Sequence, residues 1–451
     1  MNSYIRKTWL IISALIFGGL LALSYTNPTW SLLALAVIVF WLIFWWKNEI
    51  GLYVLILALP LIHWDFFVGP LVIPFIDLVG VLVLSGFVLQ SFYQLLTTGR
   101  SGWRAPLVKK FLLFFGLAIL SSLLSNYIEF SVWYAVRWIL FFYLAYICLP
   151  YNIIKSERIL KRSLIVLVIS AVAVSLVGLL SLWGQDWQEA FFRIEPMAVG
   201  GVFIFGDNHN LIAEFLVMAA FFALALKHWA KAKTKVGLNW LFIFLAIIAI
   251  GTFSRSAWII LAIQGFVFLN YTQHSFIRKH FILITLILII VSTPITLHML
   301  NLQKENTSST ENRWHLTEIA LENLQDKPLL GQGTGSFFGL VTDDVRFRAK
   351  YGDPLDSHGV WQKVLAENGL LGTLAFLIFV LTIFIRMFRA VNKYVMERDL
   401  LLPLVAGSLG AFLFQFFNTS YYKGKVWLPI AITLAAIEVI KYKHGKKSKK
   451  N

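Results

Sequence analysis

Apolar runs long enough to cross a membrane recur along almost the whole chain, and no other feature leaves so few folds open to it. A spanning helix needs about 20 predominantly apolar residues. On that ruler spans fall near residues 8–25, 28–46, 50–64, 71–96, 107–125, 131–150, 162–184, 209–229, 239–253, 255–271, 281–300, 366–388, 399–417 and 425–441. The third, ninth and tenth are short enough to be tilted or re-entrant. With 59% of its 451 residues hydrophobic and 14% charged, the chain cannot hide its apolar surface in water, since soluble proteins run near half apolar and a quarter charged. In lipid each backbone amide must be satisfied within its own segment, so continuous apolar runs are helices. A β-barrel would show short alternating segments instead.

The expected fold is therefore all-α: a polytopic membrane helical bundle of about 12–14 spans, with one large external loop between the eleventh and twelfth. Residues 1–300 form the N-terminal part of the bundle, 301–365 the loop with short helices, 366–441 the C-terminal part and 442–451 a basic tail. The run from Trp9 to Leu23 follows Arg6 and Lys7 like a signal peptide. It lacks a small-residue cleavage site, so a retained helix is expected.

Basic residues orient the bundle. With the N-terminus cytoplasmic, the inner loops and the C-terminal tail collect 27 of the 39 lysines and arginines, Lys441 to Lys450 included. That distribution, together with anionic lipid, accounts for the net charge of +16 without a nucleic-acid partner. The single cysteine, Cys148, excludes an internal disulfide and a cysteine metal site. No His-Glu-x-x-His or similar ligand spacing occurs, and neither metal nor cofactor is expected.

Ionisable residues within spans are costly and become candidates by default. Asp77, Arg137, Glu214 and Arg255 qualify, all toward the outer ends of their helices. Structural pairing is the plainer reading for Asp77 and Glu214. Arg255 lies between two serines at an outward turn, and its permanently charged planar fork suits a phosphate or diphosphate. His358, in the large loop, is the best general base because imidazole titrates near neutral pH; His209 and His315 are its competitors. The run Gly331-Gln332-Gly333-Thr334-Gly335 lacks the Gly-Lys-Ser ending of a nucleotide loop and reads as a turn.

Four patches, in order, resemble the O-antigen ligase and O-antigen polymerase superfamily of bacterial envelope glycosyltransferases. Asn208-His209-Asn210-Leu211-Ile212-Ala213 is similar to the family's Asn-Pro-Asn-x-x-Ala segment, with His209 in place of proline. Gly251 to Ala257 resembles its Ser-Arg turn. Arg313, followed by Pro328-Leu329-Leu330-Gly331-Gln332-Gly333, resembles its arginine helix and glycine run. His358, Gly369 and Gly372 reproduce a His-x10-Gly-x2-Gly pattern. Gly359 stands where ligases often carry Asn, Ser or Gln, a departure that leans toward the polymerase.

The resemblance implies a multi-pass inner-membrane enzyme of lipopolysaccharide biosynthesis. It implies a donor glycan on undecaprenyl diphosphate and an acceptor that is either the lipid A–core sugar (ligase) or another lipid-linked repeat unit (polymerase). The ligase is the first expectation. Arg255 and Arg313 would hold the leaving diphosphate without a metal, and His358 would deprotonate the acceptor hydroxyl, with inversion at the anomeric carbon. Arg193, Arg137, Asn210 and Trp361 are expected to bind substrate. A transporter is the alternative from another class. It would place polar groups near the bilayer midplane in inverted repeats, and neither feature is visible in the sequence.

Overall fold

A computed structural model describes residues 28–61, 65–68, 71–99, 102–185, 193–198, 203, 205–271, 308–418 and 421–448. The expected spans near 8–25 and 281–300 lie outside the described residues. In chain order the elements are α1 (Pro28–Trp46), α2 (Asn48–Leu57), β1 (Asp65–Val68), β2 (Leu71–Pro74), α3 (Phe75–Thr98), α4 (Val108–Leu123) and α5 (Ile128–Ile153). There follow α6 (Glu157–Ser181), α7 (His209–Ala225), α8 (Ala232–Gly251), α9 (Arg255–Tyr271), α10 (Ser308–Asp326), α11 (Phe337–Asp343) and α12 (Val345–Tyr351). The chain ends in α13 (Val360–Lys393), α14 (Arg398–Leu413) and α15 (Gly424–Ser448).

The fold is an all-α polytopic bundle. Among the described residues seven helices are long and apolar enough to cross a membrane, and the bent pair α1–α2 makes an eighth candidate. That pair corrects the expected third span. After Lys47 the chain bends by 119° into a helix of only 10 residues, about half the length needed to cross the hydrocarbon core. Beyond it lies a two-stranded antiparallel hairpin, with Phe66 opposite Ile73 and Phe67 opposite Val72. The run near 71–96 thus begins as strand and becomes helix only at Phe75. The reason is in the sequence: Pro60, Pro70 and Pro74 interrupt the amide donors a helix would need.

The centre of the bundle is α7 against α14. The apolar stretch of α7 is 83% buried, whereas that of α8 is 17% buried and lies at the periphery. Lipid tails are as apolar as leucine, so close backbone approach and interhelical hydrogen bonds must hold such helices together. Ala213, Ala219, Ala220 and Ala223 of α7 and Ala406, Gly407, Gly410 and Ala411 of α14 are all buried, and Gly407 lies against Met218 and Phe222 of α7. Gln264 of α9 completes the joint, donating to the carbonyls of Val217 (3.1 Å) and Ala406 (2.9 Å). A methyl group at Gly407 would come within 2.5 Å of the Phe222 ring and 2.9 Å of the Met218 carbonyl. Gly407→Ala is therefore expected to destabilise the protein by about 1–3 kcal/mol. Thermal unfolding of the detergent-solubilised protein checks this, and an unchanged midpoint would contradict the packing argument.

Two of the intramembrane carboxylates are explained by pairing. Glu214 accepts from Lys425 (2.6 Å), Gln415 (2.7 Å) and Asn418 (2.9 Å), and Asp77 accepts from the Tyr146 hydroxyl. At the basic end, ion pairs staple the helices together. Arg386 meets Glu438, Lys443 meets Glu157, and His228 meets Asp399. The last helix continues to Ser448, so most of the expected tail is helical.

Candidate functional site

Helix α13 is two helices joined at a break. Gly369 has φ 62° and ψ −167°, a conformation essentially restricted to glycine. Before the break runs a short helix from Val360; after it runs the apolar, membrane-length segment. Breaking a helix orphans backbone groups. Here the separated i, i+4 pairs are Ala366 O with Leu370 N, and Glu367 O with Leu371 N. Each of the four finds a partner in the glycine run. Gln332 N donates to Ala366 O and Gly333 N to Glu367 O, both at 2.9 Å, while Leu370 N donates to Pro328 O (2.9 Å) and Leu371 N to Leu329 O (3.1 Å). The Pro328–Gly333 run and the Gly369 break are thus one device, two backbones interlocked. A methyl group at Gly369 would sit 2.5 Å from the Leu329 carbonyl. Gly369→Ala is expected to cost about 1–3 kcal/mol and to displace the short helix that carries Trp361 and Gln362. A lowered thermal midpoint together with altered protease sensitivity at 352–369 would report it.

Under this device lies a buried charge cluster. Lys363 is 1% exposed and donates to both oxygens of Asp356, at 2.6 and 2.8 Å, with Glu367 at 3.4 Å. Glu367 also accepts the Phe337 amide (3.2 Å), tying α11 into the cluster. Asp356 is two residues before His358, so Lys363 anchors the loop on which the histidine rides.

His358 and Arg313 line one cavity of about 640 Å³, together with Trp314, Glu318, Trp361 and Gln362. The cavity runs between α10 and the start of α13 and reaches Phe416 and Phe417 beyond the end of α14. Gln362 fixes its floor: its amide donates to the Thr317 hydroxyl (2.6 Å), and Thr317 donates in turn to the Arg313 carbonyl (2.9 Å). Gly359 permits the approach, since a side chain there would come within 3.0 Å of the Phe416 carbonyl and of the Trp361 indole nitrogen.

Arg255 opens α9 and is exposed. The turn before it is set by Phe253 at φ 55° and by the Thr252 hydroxyl, which receives the Ser254 amide at 3.3 Å. Burial, and then the charge of Arg255, depress the Arg313 guanidinium. The two arginines are therefore electrostatic neighbours. Neither has a carboxylate partner among the described residues, and Arg313 Nε is buried without one. His358 is pushed down to about 4, chiefly by burial and next by Arg313, against the opposing pull of Asp356. It is neutral at pH 7.

The other expected residues divide. Arg193 pairs with Glu195 at 2.5 Å, and its segment is pinned to the Arg255 turn by Ile194 N donating to Gly251 O (3.0 Å). His209 lies within electrostatic reach of both Arg193 and Arg313. Asn210 is engaged locally, because the Asn208 side chain caps α7 and accepts both the Asn210 amide (2.8 Å) and its side-chain nitrogen (2.9 Å). Arg137 lies 4.6 Å from the centre of the Trp138 ring and is not in the cavity lining. Trp361 is in the lining, 37% exposed. Trp314, Glu318, Gln362 and the Lys363 cluster were not anticipated as parts of a site. Only the helical spacing of Glu311, Trp314 and Glu318 hinted that they share a face.

Residues 240–377 match the family model described as O-antigen ligase, a segment that takes in Arg255, Arg313 and His358 and leaves Arg193 and His209 outside. A search of curated proteins finds no match to the chain. The match covers less than a third of the chain and supports a place in the O-antigen ligase superfamily, in keeping with the multi-pass membrane fold.

Proposed function

We propose that the protein transfers a glycan from undecaprenyl diphosphate to an acceptor sugar on lipid A–core, at the outer face of the inner membrane, without a metal and with inversion. The observation that carries this is the pair Arg255 and Arg313. The charge of Arg255 reaches Arg313, and neither arginine has a carboxylate partner among the described residues, an arrangement that favours the arrival of an anion. A diphosphate meets that need, and guanidinium forks suit its oxygens.

In the reaction the acceptor oxygen attacks the anomeric carbon from the side opposite the diphosphate. The bond from that carbon to the phosphate oxygen breaks, and both its electrons leave with undecaprenyl diphosphate. Negative charge grows on the leaving group, where Arg255 and Arg313 strengthen their hold. His358 takes the acceptor proton. Its neutral form is the one that can do so. Burial is the main cause of the lowered imidazole and the Arg313 charge the second; a bound diphosphate offsets that second part and so favours proton uptake by the residue that must then act.

Supporting the orientation, the helix ends that carry Arg255, His358 and Phe416 alternate along the chain with the ends rich in lysine and arginine. Deleting the gene and analysing the envelope glycan tests the function. Loss of every ladder band, with lipid-linked polymer accumulating, is the expected result. Core capped by a single repeat unit would assign the polymerase reaction instead. An unaltered glycan would overturn the proposal.

A further inference from the structure

We infer that the cavity wall formed by Trp314, Glu318 and Trp361 is the subsite for the acceptor sugar; the inference rests on the transferase reading of the arginine pair. One face of α10 presents Glu311, Trp314, His315 and Glu318 to the cavity at helical spacing. Two of these are occupied: Glu311 pairs with Lys350 at 2.9 Å, and His315 is 3.8 Å from Asp344. Glu318 has no partner among the described residues, and Trp314 is 69% exposed. Trp361 lines the same cavity, and its helix is tied to α10 by the Gln362–Thr317 hydrogen bond.

A sugar ring has an apolar C–H face and a rim of hydroxyl donors. An indole covers the first and a free carboxylate accepts the second. The same wall repels a diphosphate, because the carboxylate carries like charge. The cavity therefore offers two chemistries, a cationic side at Arg313 and an aromatic–carboxylate side at Trp314 and Glu318, with His358 in the shared lining. A neutral sugar held on the second side brings its hydroxyl to the base while the donor diphosphate occupies the first. Anchoring in lipid does not account for Trp314, since Glu311 and Glu318 on its own face would be repelled by anionic headgroups.

The test uses the purified full-length protein with a polyprenyl-diphosphate-linked glycan as donor. The acceptor is lipid A–core in one arm and a second lipid-linked glycan in the other. Trp314→Ala and Glu318→Gln are each expected to raise the acceptor KM about tenfold, with the donor KM changed less than about twofold. Both side chains are exposed, so folding is spared; the thermal midpoint verifies this. An unmoved acceptor KM, or a donor KM that rises equally, overturns the subsite. If the unsubstituted protein transfers to neither acceptor, equilibrium binding decides. Binding of either acceptor that Trp314→Ala weakens supports the subsite while the transferase reading falls, and no binding removes both.

Discussion

Replacing His358 with alanine is expected to lower the transfer rate by about 10²–10⁴-fold, the usual loss when a positioned general base is removed. Arg313→Ala is expected to cost about 10²–10³-fold, as when one donor to developing negative charge is deleted, and Arg255→Ala a comparable amount. The three substitutions should differ in kind. Removing the base lowers kcat with donor binding intact, whereas removing either arginine also weakens the diphosphate contact and raises the donor KM. The pH profile separates them further. In the free enzyme His358 is neutral above about 4, so its acidic limb lies below the usual histidine range. Arg313→Gln removes the second of the two causes that hold the imidazole down, so the limb of its residual activity should move up while burial keeps it below the ordinary histidine range. Transfer kinetics on membranes with verified protein levels provide the check. Near-normal turnover by His358→Ala would remove the histidine from the mechanism.

Lys363→Met should be the most damaging single change to stability. It strands the buried Glu367 and the half-buried Asp356 without their cation, and breaking a buried ion pair costs about 3–5 kcal/mol, less where one partner reaches solvent as Asp356 does. The cluster joins α11, the His358 loop and the short helix before Gly369, so the loss should appear as a fall in the thermal midpoint together with loss of transfer. The triple variant Lys363→Met, Asp356→Asn, Glu367→Gln removes the stranded charges and should recover most of the stability. If the triple variant unfolds as readily as the single one, packing rather than charge accounts for the effect.

How much was legible beforehand differs by element. The apolar run over 209–229 declared itself, since nothing but a spanning helix satisfies its backbone in lipid; the span expected near 239–253 looked short because the helix starts earlier, at Ala232 among lysines. One of the short helices expected in the loop carries Arg313 and extends from Ser308 to Asp326. The run at 50–64, short enough to be tilted or re-entrant, is the second arm of a bent pair: its helix ends at Leu57, ahead of Pro60, and a hairpin follows at 65–74. Asn210, carried as a substrate residue by its motif, is engaged in capping α7.

Local chemistry was enough to establish the solvent this chain folds in, the helical class, and Arg255, Arg313 and His358 as residues worth following. Each of those conclusions depends on a short window of sequence: a run of apolar residues, a charge at a turn, an imidazole outside the spans. The interlock between Pro328–Gly333 and the break at Gly369, the burial of Lys363 between two carboxylates, and the division of the cavity into a cationic and an aromatic side were set by tertiary structure alone. The interlock joins segments about 40 residues apart and the Lys363 cluster reaches Phe337 of α11, and a broken helix is favourable only where a second backbone satisfies the amides and carbonyls it exposes.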